Sequence, residues 1–157
     1  MTGLLTFGSV TRPDSWDFPL FLHILGGMIL VGSLTLAAVS LIAAWRSKSP
    51  ALIRLAYMTL FYGALPGYIV FRVGAEWIVS KEHLQNSNDA WIGIGYSVSD
   101  LGFLLLIVCL ILGGISVRRM NRGEAASAIS ARIVTGLVSL VLVGYLVAVW
   151  AMTTKPI

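Results

Sequence analysis

Four long apolar runs, separated by three short polar gaps, occupy most of this 157-residue chain. The runs cover residues 18–45, 55–79, 97–117 and 129–152. Each supplies roughly the 20 residues that an α-helix needs to cross a hydrocarbon core about 30 Å thick. The sequence therefore predicts an all-α fold, a four-helix transmembrane bundle.

The runs have no side that would face water. Within residues 28–44 the only polar side chains are the hydroxyls of Ser33, Thr35 and Ser40. A soluble helix of this length would carry a polar stripe. Because the remaining segments are too short to build a second core, residues 1–157 are predicted to form a single integral membrane domain.

The basic residues predict the orientation of the chain. Seven cations lie in or beside the first and third gaps: Arg46, Lys48, Arg54, Arg118, Arg119, Arg122 and Arg132. The termini and the second gap carry three cations and four acids. Short loops rich in Lys and Arg stay in the cytoplasm. We therefore expect both termini on the extracytoplasmic side of a bacterial cytoplasmic (inner) membrane, crossed several times.

The net charge of +4 is explained by this topology. The cations lack the interleaved aromatic side chains or the folded module typical of nucleic-acid binding, so no nucleic acid is expected as a partner. The expected surroundings are the lipid bilayer, further copies of the chain, or other membrane subunits.

Local signals refine the helices and the longest gap. Pro66 lies inside the second run, where it removes one backbone hydrogen bond and is expected to kink the helix. Close helix contacts are expected at the glycines of the first two runs: Gly26, Gly27, Gly32, Gly63 and Gly67. Residues 80–96 are predicted to form the longest loop, either an interfacial anchor through its aromatic residues or a lid over something held between the helix ends.

Four ionisable side chains fall at a similar depth in the outer half of the runs: His23, Arg72, Glu76 and Asp100. Ionisable groups inside a bilayer are costly and usually face a partner or a cavity, so this polar cluster is the candidate site. A purely structural interpretation is also open. Arg72 and Glu76 have the i, i+4 spacing of an intrahelical ion pair, Asp100 could cap the third helix, and His23 could bond a backbone carbonyl.

Three uses of the cluster are considered. A haem b between helices would take His23 as axial ligand and Arg72 as a propionate partner. A proton or small-solute path would use His23, Glu76 and Asp100. A metal site is not predicted, because one imidazole and two carboxylates from three helices lack the usual ligand spacing. No phosphate loop, zinc motif or nucleophile turn occurs, so catalysis by the chain alone is not expected.

The first run resembles a known group of membrane families. Its residues 21–27 (Phe-Leu-His-Ile-Leu-Gly-Gly), followed by Gly32, resemble the opening helix of bacterial families related to copper-resistance protein D and to HemJ-type protoporphyrinogen oxidases. In those families a Leu-His-x-x-Gly stretch begins a bundle of four or more helices. Residues 76–82, 91–95 and 99–102 look like small uncharacterised bacterial four-helix membrane proteins of the same group. The resemblance implies a helical bundle, with haem bound at His23.

These observations favour a non-catalytic, multi-pass integral membrane protein that acts as a homo-oligomer or as a small subunit of a membrane assembly. The alternative is a haem b-binding redox or tetrapyrrole-handling protein that uses His23. A third possibility is a small transporter or channel, which a second helix broken at Pro66 would permit.

Overall fold

A computed structural model describes residues 17–82, 90–123 and 128–154, and 96% of these residues are helical, with no strand among them. The α-helices are α1 (Asp17–Ser47), α2 (Pro50–Thr59), α3 (Leu65–Glu82), α4 (Ala90–Asn121) and α5 (Ala128–Thr153). A single π-helical turn, Leu60–Ala64, joins α2 to α3. The chain therefore has four helical segments, and the predicted all-α fold is confirmed.

Three helices are long and apolar enough to cross a membrane: α1, residues Gly93–Asn121 of α4, and residues Ala131–Ala151 of α5. The second predicted run is divided. Helix α2 has 10 residues, and α3 has 18 with the charges of Arg72, Glu76 and Lys81. In the part of the chain that the structure describes, three helices are therefore long and apolar enough to cross a membrane.

The helix predicted from the third apolar run, α4, begins earlier than the sequence predicts. Its first residue is Ala90 instead of residue 97. The prediction was wrong because Gly93 and Gly95 were interpreted as loop residues, whereas both lie inside the first turns of α4. Residues 83–89 of the predicted loop lie outside the described residues.

The interruption expected at Pro66 takes the form of the π turn just before it. The amide of Leu65 donates to the carbonyl of Leu60, five residues back. Proline has no amide hydrogen, and its ring would clash with the carbonyl four residues earlier in a regular α-helix. A π turn changes the position of that carbonyl, so the helix continues past Pro66 at the expense of one hydrogen bond.

Helix α1 occupies the centre of the packing. It contacts α2 and α3 on one side and α5 on the other, and α4 packs on α5 and on α2. The best-buried large side chains come from four segments and include Leu30, Leu34, Leu60, Leu106 and Val138. The four segments therefore share one core.

Glycines bring the backbones of α1 and α3 into contact. A Cβ atom at Gly74 would lie 2.5 Å from the backbone nitrogen of His23, and one at Gly67 would lie 2.9 Å from that of Leu30. A Cβ atom at Gly26 would collide with the backbone of Phe71. The close contacts predicted for Gly26, Gly63 and Gly67 are thus present, and they fix the height of the second segment against α1. The contact predicted for Gly32 is not found within the described residues, because a Cβ atom there would meet nothing within 4 Å.

Candidate functional site

The candidate site centres on Arg72, which faces α4 from the middle of α3. Its Nη2 lies 3.1 Å from Oε1 of Glu76 and 3.2 Å from Oδ1 of Asp100. Its Nη1 donates a hydrogen bond of 3.2 Å to Oγ of Ser99. The guanidinium carbon also lies 4.8 Å from the centre of the Tyr96 ring, within the range of a cation–π interaction. One guanidinium thus links α3 to three side chains of α4.

Tyr96 of α4 also binds within the cluster. Its hydroxyl donates to Oε2 of Glu76 at 3.2 Å, so Glu76 accepts from Arg72 with one oxygen and from Tyr96 with the other. The i, i+4 pair predicted between Arg72 and Glu76 is present, but the pair also bonds across to α4. The cluster therefore connects two helices and does more than neutralise a charge within one.

A chain of hydroxyl groups continues from the guanidinium toward the core. Ser99 donates to the hydroxyl of Tyr68 across a long distance of 3.5 Å. The hydroxyl of Tyr145, on α5, is fully enclosed and has no hydrogen-bond partner among the described residues. Ser99, Tyr68 and Arg72 lie close enough to interact with it electrostatically. The hydrogen of Ser99 points to Tyr68 and its oxygen already accepts from Arg72, so a bond between Ser99 and Tyr145 would require the Tyr145 hydroxyl to donate to the second lone pair of Ser99.

The charged groups are only partly covered. The side chain of Arg72 is 27% exposed, that of Glu76 50% and that of Asp100 62%. Salt bridges at such exposure contribute little in water, roughly 0–1 kcal/mol each. The geometry is that of an ion-pair network at the rim of the α3–α4 contact.

His23 lies on the opposite side of α3 from these acids. Its Nδ1 lies 3.2 Å from the carbonyl oxygen of Phe71, and its ring stacks on the Phe71 ring with centroids 4.4 Å apart. A carbonyl only accepts, so Nδ1 carries the hydrogen and Nε2 keeps a lone pair. The structure gives His23 no hydrogen bond or ion pair with Arg72, Glu76 or Asp100 among the described contacts.

The four sequence-predicted residues therefore form two groups. Arg72, Glu76 and Asp100 meet, whereas His23 bonds the backbone next to Arg72 through the carbonyl of Phe71. The capping role considered for Asp100 is wrong. Helix α4 begins ten residues before Asp100, at Ala90, and the helix-end effect is confined to the first turn.

Sequence reasoning missed most of the hydroxyl groups. Tyr68 precedes Arg72 by four residues on α3, and Tyr96 precedes Asp100 by four on α4, so each aromatic ring shares a helical face with a charge. This paired spacing is a signal that could have identified both. Depth along the fourth run does put Tyr145 near the level of the cluster, and the structure places its hydroxyl close to Ser99, Tyr68 and Arg72.

The two terminal cations, Arg12 and Lys155, lie outside the described residues, as does the side chain of Trp91 in the predicted loop. Trp77, near the end of α3, is 41% exposed and meets the Phe18 ring edge-on with centroids 6.0 Å apart. An exposed indole at a helix end is typical of the aromatic belt of membrane proteins.

The class defined by these observations is an all-helical protein with three helices suited to a lipid environment and one interhelical ion-pair network. Among the described residues, no three His, Cys, Asp or Glu side chains gather closely enough to hold a metal ion. No protein-family model, curated protein or solved structure matches the chain. The likeness to copper-resistance protein D and HemJ-type proteins stays a prediction.

Proposed function

We propose that this chain is a four-span protein of a bacterial cytoplasmic membrane that acts as a non-catalytic building block of a homo-oligomer. Residues 50–82 form the fourth span, and both termini lie on the extracytoplasmic side. The cations at the joined ends of α1 and α2 and of α4 and α5 support this orientation, because basic loops remain in the cytoplasm.

The Arg72 network supports a structural role for the polar cluster. Its guanidinium interacts with two carboxylates, a hydroxyl and an aromatic ring of the same chain. A charge so placed is stabilised by its own protein, and the helices that it joins are held at a fixed distance. Tyr96 donates to the second oxygen of Glu76, so both carboxylate oxygens have partners within the chain.

The proposal of self-association rests on two glycines that have free space beside them. A Cβ atom at Gly32 on α1 or at Gly136 on α5 would meet nothing within 4 Å, whereas Gly26, Gly67 and Gly74 are occupied by contacts inside the chain. Helices approach one another in membranes where small residues expose the backbone. Gly32 and Gly136 are exposed on faces of large apolar side chains, and each offers room for a helix of another copy.

Fluorescence energy transfer between labelled copies in liposomes tests this proposal. We expect energy transfer between wild-type copies to persist as lipid dilutes the protein. For Gly32→Ile we expect transfer to be lost at a dilution about tenfold lower, which corresponds to about 1.4 kcal/mol in the free energy of association. Leu36→Ile, at another exposed position of α1, is the matched control and should behave like the wild type. Transfer no greater than that expected from random proximity would overturn the oligomer. If energy transfer falls with dilution equally in the wild type and in Gly32→Ile, Gly32 does not lie in the contact between copies.

One observation favours the haem alternative enough to keep it as a second candidate. His23 donates from Nδ1 to a backbone carbonyl, which is the usual arrangement of a histidine that ligates metal through Nε2. The likeness of the first helix to the HemJ-type group points to the same residue, and Arg72 would pair with a propionate. The Phe71 ring, stacked on the imidazole, restricts access to one of its faces.

Absorption spectra test whether His23 binds haem. The protein, extracted gently from cells supplied with haem precursor, would show a Soret band and reduced α and β bands if His23 binds haem, and His23→Ala would remove them. Phe71→Leu, which keeps the backbone carbonyl, is the matched control and should retain the bands. A spectrum without these bands would eliminate the haem alternative and leave the building-block proposal unaffected.

A further inference from the structure

A groove runs along the outside of α4 near the basic end of the molecule, far from the Arg72 network. It has a volume of about 440 Å³ and lies between Tyr57 of α2 and the last turns of α4. Its walls are apolar, with Leu110 and Ile111 on one side, and Arg118 stands at its end. The groove therefore has a hydrocarbon-lined body and a cationic mouth.

Glycines create the space. Tyr57 packs across Gly113 and Gly114, and a Cβ atom at Gly114 would lie 3.5 Å from the Tyr57 hydroxyl. Of these two glycines only Gly114 lines the groove, and a side chain there would fill its floor. Ile111, 56% exposed, forms its outer edge. The depression thus follows from Gly114 placed against one aromatic ring.

The mouth of the groove lies in a field of positive charge. Arg118 and Arg54 are both exposed, and Arg54 donates from Nη2 to Oδ1 of Asn121 at 2.7 Å, which holds it beside the end of α4. Arg46 and Arg122 lie on neighbouring helix ends. Within the described ranges, the acidic residues all belong to the opposite end of the molecule: Asp17, Glu76, Glu82 and Asp100.

We infer that this groove binds one anionic glycerophospholipid. An acyl chain lies along the apolar wall at Leu110 and Ile111, and the headgroup phosphate pairs with Arg118 and with a remaining N–H group of Arg54. Arginine matches the geometry of phosphate oxygens with paired donors, and basic pockets between helices on the cytoplasmic side are recognised sites for anionic headgroups. The inference requires embedding in a membrane but does not depend on self-association.

Lipid retention measured by native mass spectrometry tests the site. The full chain is reconstituted in nanodiscs with equal amounts of phosphatidylglycerol and phosphatidylcholine that bear the same acyl chains, and the lipids that remain bound on release are counted. We expect one phosphatidylglycerol to be retained in preference to phosphatidylcholine. Arg118→Gln should lower this preference about fivefold, since one cation near an anionic surface contributes about 1 kcal/mol.

Two controls separate a built site from a diffuse basic surface. Arg46→Gln removes the same charge from the same end of the molecule, away from the groove, and should retain the wild-type preference. Ile111→Trp and Gly114→Leu fill the groove without a change of charge and should lower retention, with circular dichroism to verify that each variant is folded. Two variants are used because either one alone could perturb the packing of α4.

Three results would overturn the inference. An equal loss of preference in Arg46→Gln and Arg118→Gln would show that the lipid responds to the total charge. Unchanged retention in folded Ile111→Trp or folded Gly114→Leu would show that no acyl chain lies in the groove. Displacement of the lipid by inorganic phosphate at equal concentration would assign the arginines to a soluble anion instead.

Discussion

Arg72 pairs with Glu76 of its own helix and reaches α4 through Asp100 and the Ser99 hydroxyl, and the exposure of the two acids decides how much the network contributes. Glu76 is 50% exposed and Asp100 62%, so solvent and headgroups screen both. The pair with Glu76 lies within one helix, whereas the pair with Asp100 spans two. Only the second of these holds the helices together.

Replacement of Arg72 should therefore weaken the α3–α4 contact. We expect Arg72→Met to lower the free energy of unfolding by about 1–2 kcal/mol, because two acids lose their common cation. Asp100→Asn in the same chain should recover part of that loss, with a coupling of about 0.5–1 kcal/mol. Unfolding in mixed sodium dodecyl sulfate and mild detergent, followed by circular dichroism, measures both. Lys81→Met, an exposed cation at the end of α3, is the matched control.

Salt provides the check on this prediction. The coupling between Arg72 and Asp100 should decrease as ionic strength rises, because exposed charges are screened. A coupling of zero at low salt would contradict a clamp through this pair.

Removal of the Tyr145 hydroxyl is expected to have the opposite effect on stability. Its enclosed hydroxyl lacks a hydrogen-bond partner, whereas that of Tyr68 accepts from Ser99. Tyr145→Phe should leave the free energy of unfolding unchanged or raise it by up to about 1 kcal/mol, and Tyr68→Phe should lower it by about 0.5–1.5 kcal/mol. The same unfolding assay compares them. A loss above about 1 kcal/mol in Tyr145→Phe would show that its hydroxyl is bonded in the folded protein.

At the scale of helices, the contact between α1 and α3 depends on the absence of side chains. Gly74 faces the backbone of His23 and the carbonyl of Pro19, and a methyl group there would meet atoms that no rotamer change can move. The contact is therefore intolerant of any Cβ atom, independent of the hydrophobicity of the side chain.

Gly74→Ala should lower the free energy of unfolding by at least about 1–3 kcal/mol, the usual range for overpacking. Gly93→Ala is the matched control, since nothing lies within 4 Å of its Cβ position. In a helix that change should raise stability by about 0.5–1 kcal/mol. If the two variants unfold alike, the backbones of α1 and α3 do not touch as described.

The sequence predicted helices well and their rotation poorly. Apolar runs of sufficient length placed three membrane-spanning helices, because length and hydropathy are properties of the run itself. The face that each helix turns to its neighbours depends on packing, so the separation of His23 from Asp100 was not predictable from depth alone. The π turn before Pro66 was anticipated only as a kink, since a proline does not specify how its lost hydrogen bond is accommodated.

For the whole molecule the number of membrane crossings depends on residues 50–82. This segment combines a π turn with several charges, so length and composition alone do not identify it as a span. Packing supports a crossing: α3 lies against α1 through Gly67 and Gly74, and α2 lies against the other end of α1. A segment that accompanies a membrane-spanning helix in this way occupies the same layer. In the proposed topology its charged residues lie toward the outer boundary, where Arg72 pairs with Glu76 of α3 and with Asp100 of α4.

Cysteine labelling from outside the cell tests this topology. In a Cys109→Ser background, single cysteines are placed at Ser49, at Lys81 and at Thr154, and intact cells are treated with a membrane-impermeant maleimide. We expect Lys81→Cys and Thr154→Cys to react at once, and Ser49→Cys only after permeabilisation, because residues 50–82 carry the chain across the membrane. Since Ser49 and Lys81 bracket that segment, reaction of both from the same side would remove the fourth span. Labelling of Ser49→Cys alone in intact cells would instead keep the span and reverse the orientation, which would contradict the assignment of the basic loops to the cytoplasm.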